Sequence, residues 1–149
     1  MIYTDLTRKA LKLSFEAHKR QEDKSGVPYV FHPYEVASHM KDESSVCVAL
    51  LHDVVEDTEV TIEDLRKQGF PQEVCEAVRV MTRESGVPYL DYVNEIKVNR
   101  IARRVKMADL QHNMDATRMT EISDGHREKM KLYEQAYRIL SECDEKADD

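Results

Sequence analysis

Leu50 to Thr58 reads LLHDVVEDT. One histidine and three carboxylates, His52, Asp53, Glu56 and Asp57, sit in a run that from Val46 onward is otherwise Val, Cys, Ala and Leu. As a helix over residues 45–56, advancing about 100° per residue, the segment gathers His52, Asp53, Glu56 and Asp57 into one arc of roughly 140°. Val48, Leu50, Leu51, Val54 and Val55 cover the remainder. A helix apolar on every side but one is buried, with its polar stripe facing a cleft. Burying carboxylates without compensation costs several kcal/mol each, and a metal ion is the partner that turns their repulsion into coordination. Two other arrangements fit this helix taken alone: an acidic helix end in solvent, or a hydrogen-bonded His52–Asp53 pair in the core.

Working outward, apolar spacing and capping residues predict further helices over 4–21, 33–40, 61–68, 71–81, 88–95, 98–117 and 125–142, and no convincing period-2 strand. The fold class expected is all-α. Hydrophobic residues are 41% and charged residues 34% of the 149, with 4 Gly and 4 Pro, which suits a single helix-rich domain over residues 1–149. SGVPY occurs at Ser25 to Tyr29 and again at Ser85 to Tyr89 with different sequels, a reuse of turn chemistry rather than a duplicated domain. The acidic tail over 142–149 is expected to fray.

The formal charge of −7 argues against coating a nucleic-acid polymer. Cys47, Cys75 and Cys143 are far apart and lack CxxC spacing, so they indicate reduced thiols rather than a disulfide or zinc framework. No apolar run approaches the ~20 residues of a membrane span, and the expected location is cytoplasmic.

In the helix over 98–117, Asp109 lies in the middle of the apolar stripe Val98, Ile101, Ala102, Val105, Ala108, Ala116, with Asn113 four residues on. An aspartate placed so needs a partner from elsewhere in the fold. His32 precedes Pro33, which biases it out of the α region at a helix entrance; alone it reads as a cap or core histidine, and beside His52, Asp53 and Asp109 it completes a two-His, two-Asp set. Lys97, Arg100 and Arg104, with Arg103 and Lys106 adjacent, form a basic stripe that is either a solvated face or a phosphate contact. His18 and His112 read as core histidines near that site.

The order His32, His52-Asp53, Asp109 resembles that of the HD-domain metal-dependent phosphohydrolases. AHKRQEDKSGVPYVFHPYEVA (Ala17 to Ala37), ALLHDVVEDT (Ala49 to Thr58), FPQEV and VKMADLQHNM (Val105 to Met114) narrow the likeness to the hydrolase domain of RelA/SpoT-type alarmone enzymes and their small single-domain relatives. The resemblance implies an HD-domain helical bundle, with His32, His52, Asp53 and Asp109 as ligands of one divalent metal. Mn²⁺ is the usual ion, and Fe, Co, Ni or Zn are possible occupants. It also implies Glu56 and Asp57 as the acids that orient and deprotonate the attacking water, Lys24 and Ser25 as nucleotide contacts, and Asn113 as a sugar or base contact.

The activity implied is (p)ppGpp 3′-pyrophosphohydrolase, acting on a small phosphorylated nucleotide. Two positions depart from the pattern: Asp23 and Leu110 stand where the larger enzymes commonly have arginine. They favour, as alternatives, an HD nucleotidase or nucleotide pyrophosphatase on another nucleotide; a nucleotide-binding regulator without turnover is the third reading.

Overall fold

The computed structural model describes residues 1–147. Its elements in chain order are α1 (Asp5–His18), α2 (Phe31–Ser38), α3 (Glu43–Leu51), α4 (Val54–Asp57), α5 (Ile62–Lys67), α6 (Gln72–Met81), α7 (Tyr89–Ile96), α8 (Arg100–Asn113), a 3-10 turn (Ala116–Arg118) and α9 (Asp124–Ala147). Among the described residues the one β feature is an isolated antiparallel bridge between Glu22 and Pro28.

Short polar residues set the starts. Thr4 opens α1 with a reciprocal box: its Oγ1 accepts from Thr7 N at 3.1 Å, and Thr4 N donates to Thr7 Oγ1 at 2.8 Å. Thr61 and Asp64 repeat that device at α5. Asp42 and Asn99 accept from the third residue inside α3 and α8. The two SGVPY copies share a glycine in the left-handed region: Gly26 and Gly86 have φ of +79° and +86°, which costs a side chain but not glycine.

The core is built around α3. Ser45 through Leu51 are all buried, and α1, α2, α6 and α8 pack around this helix. A helix enclosed on every face needs no amphipathic stripe, which is why Val46, Cys47, Val48, Ala49, Leu50 and Leu51 run unbroken.

Three boundaries differ from the sequence reading. The helix expected over 45–56 stops at Leu51 and restarts at Val54, with His52 and Asp53 in the turn between. The second helix begins at Phe31, so His32 is helical rather than held out of the α region; Pro33 sits in the first turn, where its missing N–H breaks no bond. Helix α8 ends at Asn113, short of 117. At the C-terminus α9 runs to Ala147 across most of the tail expected to fray, and 148–149 lie outside the described residues.

Candidate metal centre and its pocket

Four side chains from three stretches meet against α3. His32 comes from the first turn of α2, His52 and Asp53 from the break after α3, and Asp109 from α8. His32, His52 and Asp109 are buried and each offers a ligand atom within 4.8 Å of the others. His32 Nε2 lies 2.8 Å from Asp109 Oδ1, and His52 Nε2 lies 3.4 Å from that same oxygen. Asp53 stands at the edge of this trio, its Oδ2 3.1 Å from His52 Nε2 and 3.9 Å from His32 Nε2.

The donor set suits a divalent cation. His52 Nδ1 donates to Ala49 O at 2.5 Å, which turns the other ring nitrogen toward the centre. There Nε2 is buried and makes no aligned hydrogen bond, despite the two carboxylates nearby. Two imidazole nitrogens and the Asp109 carboxylate gathered within 4.8 Å, with Asp53 at the edge, match the mixed N/O preference of a borderline first-row ion. Burial opposes charge on His52, but Asp53 and Asp109 outweigh it and hold the ring's pKa well above its ordinary value. Burial likewise opposes ionisation of Asp109, and Lys106 followed by the histidines brings its pKa well below the usual range.

A surrounding layer fixes these groups. Lys106 Nζ lies 2.8 Å from Asp109 Oδ2, and its ammonium sits over the rings of Tyr92 and Tyr89 at 5.4 and 5.8 Å. Tyr29 donates its hydroxyl to Asp53 Oδ2 at 2.6 Å. Burial and then the Asp53 charge push that phenol's pKa up. His112 meets the His32 ring edge to edge, Nδ1 to Nδ1 at 2.7 Å, and burial, followed by the Arg118 guanidinium, lowers its pKa to about 4. His18 is buried as expected, bonded through Nδ1 to Gln21 Oε1 and packed 5.1 Å from the Tyr29 ring.

Beside the centre opens a pocket of about 260 Å³. Lys24, Ser25 and Asn113, the three residues expected to contact substrate, all line it. Asn113 Nδ2 also donates to Asp109 Oδ1 at 3.1 Å, joining pocket to centre. Ser25 Oγ donates to Arg118 O at 2.7 Å, so its side chain holds the loop as well as lining the cavity. Lys129 of α9 faces Lys24, whose charge lowers the Lys129 pKa.

The two acids on α4 are exposed. Glu56 Oε1 accepts from Arg83 N at 2.7 Å, and Asp57 Oδ2 accepts from Gln21 Nε2 at 3.2 Å. Burial raises the Glu56 pKa against the pull of that Arg83 N–H, with Asp53 adding to the rise. The continuous polar stripe expected from LLHDVVEDT is thus two pairs: His52 and Asp53 turned inward at the break, Glu56 and Asp57 carried on α4 beyond it.

The basic stripe does not survive as one surface either. Arg103 is buried, with Nη1 donating to Lys97 O at 2.7 Å and Nε 3.2 Å from Asp144. Arg104 lies 3.6 Å from the same carboxylate. These two fasten α8 to α9, while Lys106 turns to the centre.

An HD-domain family model matches residues 10–135. The chain belongs to the HD-domain family. HD domains bind a divalent metal, and the His32–His52–Asp109 cluster supplies such a site here. This HD domain is 34% identical over 126 residues to the bifunctional (p)ppGpp synthase/hydrolase SpoT of Escherichia coli (strain K12), an alignment covering 72% of the chain and 17% of that protein. Against the probable guanosine-3′,5′-bis(diphosphate) 3′-pyrophosphohydrolase of Synechocystis sp. it is 31% identical over 122 residues, covering 71% of the chain and 16% of the relative. The chain therefore spans only about one-sixth of the length of these curated relatives. The solved structure of a metazoan ortholog of SpoT that hydrolyzes ppGpp superposes with a TM-score of 0.77 at 24% identity, covering 94% of the chain and 87% of that structure. That likeness establishes the fold.

Both departures from the family pattern have places in this HD domain. Leu110 is fully buried in the core. Asp23 Oδ1 accepts from Ser25 N and Val27 N at 2.9 and 3.0 Å, and its Oδ2 lies 3.7 Å from Arg118 Nη2. Arg118 itself lines the pocket, so a cation stands there although position 23 is acidic.

Sequence reasoning passed over Tyr29 and Arg118, and read Lys106 as part of a basic stripe and His112 as a core histidine near the site rather than as partners of its ligands. Lys106 precedes Asp109 by three residues, a spacing that puts both on one helix face and could have flagged the pair. Arg118 reaches Asp23 from 95 positions away, with no local signal.

Proposed function

We propose that this HD domain is a metal-dependent phosphohydrolase that releases pyrophosphate from the 3′ position of guanosine 3′,5′-bis(diphosphate) or its triphosphate analogue. The observation that carries the reading is the adjacency of the His32–His52–Asp109 cluster to the pocket lined by Lys24, Ser25 and Asn113. The names of the SpoT-type relatives support the choice of nucleotide.

In this reading His32, His52, Asp109 and, from the edge, Asp53 hold one divalent ion, Mn²⁺ before Fe, Co, Ni or Zn. When bound, the ion supplies Lewis acidity to the attacking water and to the phosphoryl oxygens. Lys24 and Lys129 draw the polyphosphate into the pocket, and Asn113 positions the sugar or base. Glu56 takes a proton from the attacking water, a task for which its raised pKa suits it. Asp57, held by Gln21, orients that water. Water adds to the phosphorus bonded to the 3′ oxygen, the P–O3′ bond breaks, and the 3′ oxygen leaves with a proton, giving GDP or GTP and pyrophosphate.

Pyrophosphate release from ppGpp by purified protein with Mn²⁺, beside a panel of other nucleotides and Asp53→Ala, tests this. Selective release lost in Asp53→Ala supports the proposal. Turnover of another nucleotide in place of ppGpp retains the metal chemistry and replaces the substrate, and nucleotide binding without any turnover makes the protein a regulator.

A further inference from the structure

The rings of His32 and His112 lie nearly coplanar, planes 7° from parallel, and meet edge to edge: their centroids are 5.0 Å apart and their Nδ1 atoms 2.7 Å apart. Two imidazole nitrogens at that distance share one hydrogen, one ring donating and the other accepting. The far side of His32 decides the direction. Its Nε2 faces the cluster, 2.8 Å from Asp109 Oδ1. Without an ion that contact is an Nε2–H donated to the carboxylate; with an ion bound, Nε2 must offer the metal its lone pair, so in that state the neutral ring carries its hydrogen on Nδ1. The acceptor is then the Nδ1 lone pair of His112, whose own hydrogen is on Nε2.

We propose that His112 is a positioning residue of the metal centre: it accepts the Nδ1 hydrogen of His32, fixes that ring's tautomer and rotation, and thereby aims Nε2 at the ion. The position behind a ligating histidine is commonly filled by a carboxylate, a carbonyl or water; here a second imidazole fills it. His52 shows the contrast. Its Nδ1 is bonded to Ala49 O within the α3 end, a backbone acceptor that no side-chain change removes. His32 depends instead on a side chain from another helix, three residues after Asp109. Helix α8 thus supplies one ligand and aims a second. The His112 backbone is itself held, its carbonyl accepting from Arg118 Nη1 at 2.8 Å.

The inference rests on His32 being a ligand, and its test reads metal uptake rather than turnover. Metal-stripped full chain is titrated calorimetrically with Mn²⁺ alone. His112→Phe keeps an aromatic ring and deletes the acceptor; His112→Asn places a carboxamide oxygen where Nδ1 stood. The expected result is a 10- to 100-fold loss of Mn²⁺ affinity in His112→Phe, with His112→Asn within about threefold of the parent. Parent-like affinity in His112→Phe, or equal losses in both variants, overturns the assignment. A second measurement needs no variant: long-range proton–nitrogen NMR correlations of the Zn²⁺-loaded, histidine-labelled protein should give His32 as the Nδ1–H tautomer and His112 as Nε2–H. The reverse pair of tautomers overturns it. Failure of the parent to take up either metal removes the ligand reading and this inference with it, whereas uptake unaffected by His112→Phe removes this inference alone.

Discussion

Lys106→Met separates charge from packing at the centre. Methionine keeps an unbranched stem between Tyr89 and Tyr92 and deletes the ammonium that lies 2.8 Å from Asp109 Oδ2. The side chains of the pair are 12% and 4% exposed, so solvent does little to screen the charge that remains. Removing one partner of a buried ion pair costs about 3–5 kcal/mol, and the lower end applies here because His52 sits beside Asp109 Oδ1 and favours a proton. For a domain of this size ~3 kcal/mol corresponds to a fall in Tm of roughly 6–12 °C. Bound metal supplies positive charge to the same carboxylate, so the loss should shrink when ion is present. Calorimetric unfolding at neutral pH, with chelator and with saturating Mn²⁺, measures both numbers. A fall below about 1 kcal/mol in chelator, or equal falls in the two conditions, would show that Asp109 does not depend on Lys106 for its charge balance and would refute the reasoning.

Glu56→Gln should lower kcat about 100- to 10,000-fold while leaving Mn²⁺ affinity near that of the parent, since a proton acceptor is lost and no ligand is. The sign of the pH effect follows from the raised Glu56 pKa: the carboxylate must be ionised to act, so the parent's rate falls with acidification at a higher pH than an unperturbed glutamate would give. The same upward shift stabilises the fold below the unfolded-state pKa, and that contribution fades as pH rises through the folded one. Rate and stability profiles of the two proteins check both limbs. For the loop, Asp23→Ala and Arg118→Ala should each raise KM with kcat little changed. Their ion pair is 3.7 Å long with both side chains 19% exposed, so a double-mutant cycle on stability should give a coupling of at most about 1 kcal/mol; an effect on kcat alone would place the pair in the chemistry instead.

The residues of the centre were legible because each breaks a local rule. Asp109 stands inside an apolar stripe, and His52 and Asp53 interrupt a run that is otherwise buried aliphatic. Such polar residues need partners wherever the chain folds, and the structure brings them to one another. The basic residues near Lys97 broke no rule, since five cations on an acidic chain are compatible with any exposed face. The turn of Arg103 and Arg104 toward Asp144 is set by where α9 lies against α8, a tertiary fact with no trace in spacing. Asp23 was only partly legible for the same reason: an acid in a loop expected to meet phosphate points toward another nucleotide, and the cation that faces it, Arg118, lies 95 positions away in sequence.

The break after Leu51 explains why His52 and Asp53 can act together. On a continuous helix adjacent side chains diverge by about 100°, and a helical wheel drawn through residues 45–56 therefore spreads the pair across a wide arc. The helix instead ends at Leu51 and restarts at Val54, with Asp53 at φ −98° and ψ −7°. Those angles lie between the helical and bridge regions, where backbone direction changes without a glycine. The turn brings His52 Nε2 and Asp53 Oδ2 to 3.1 Å, with Glu56 and Asp57 on α4 beyond it. In the proposed function, residues as close in sequence as His52, which is buried, and Glu56, which is exposed, then take different tasks, ligation and proton transfer. A substitution that straightened this turn would be expected to disturb both tasks while leaving the buried face of α3 intact.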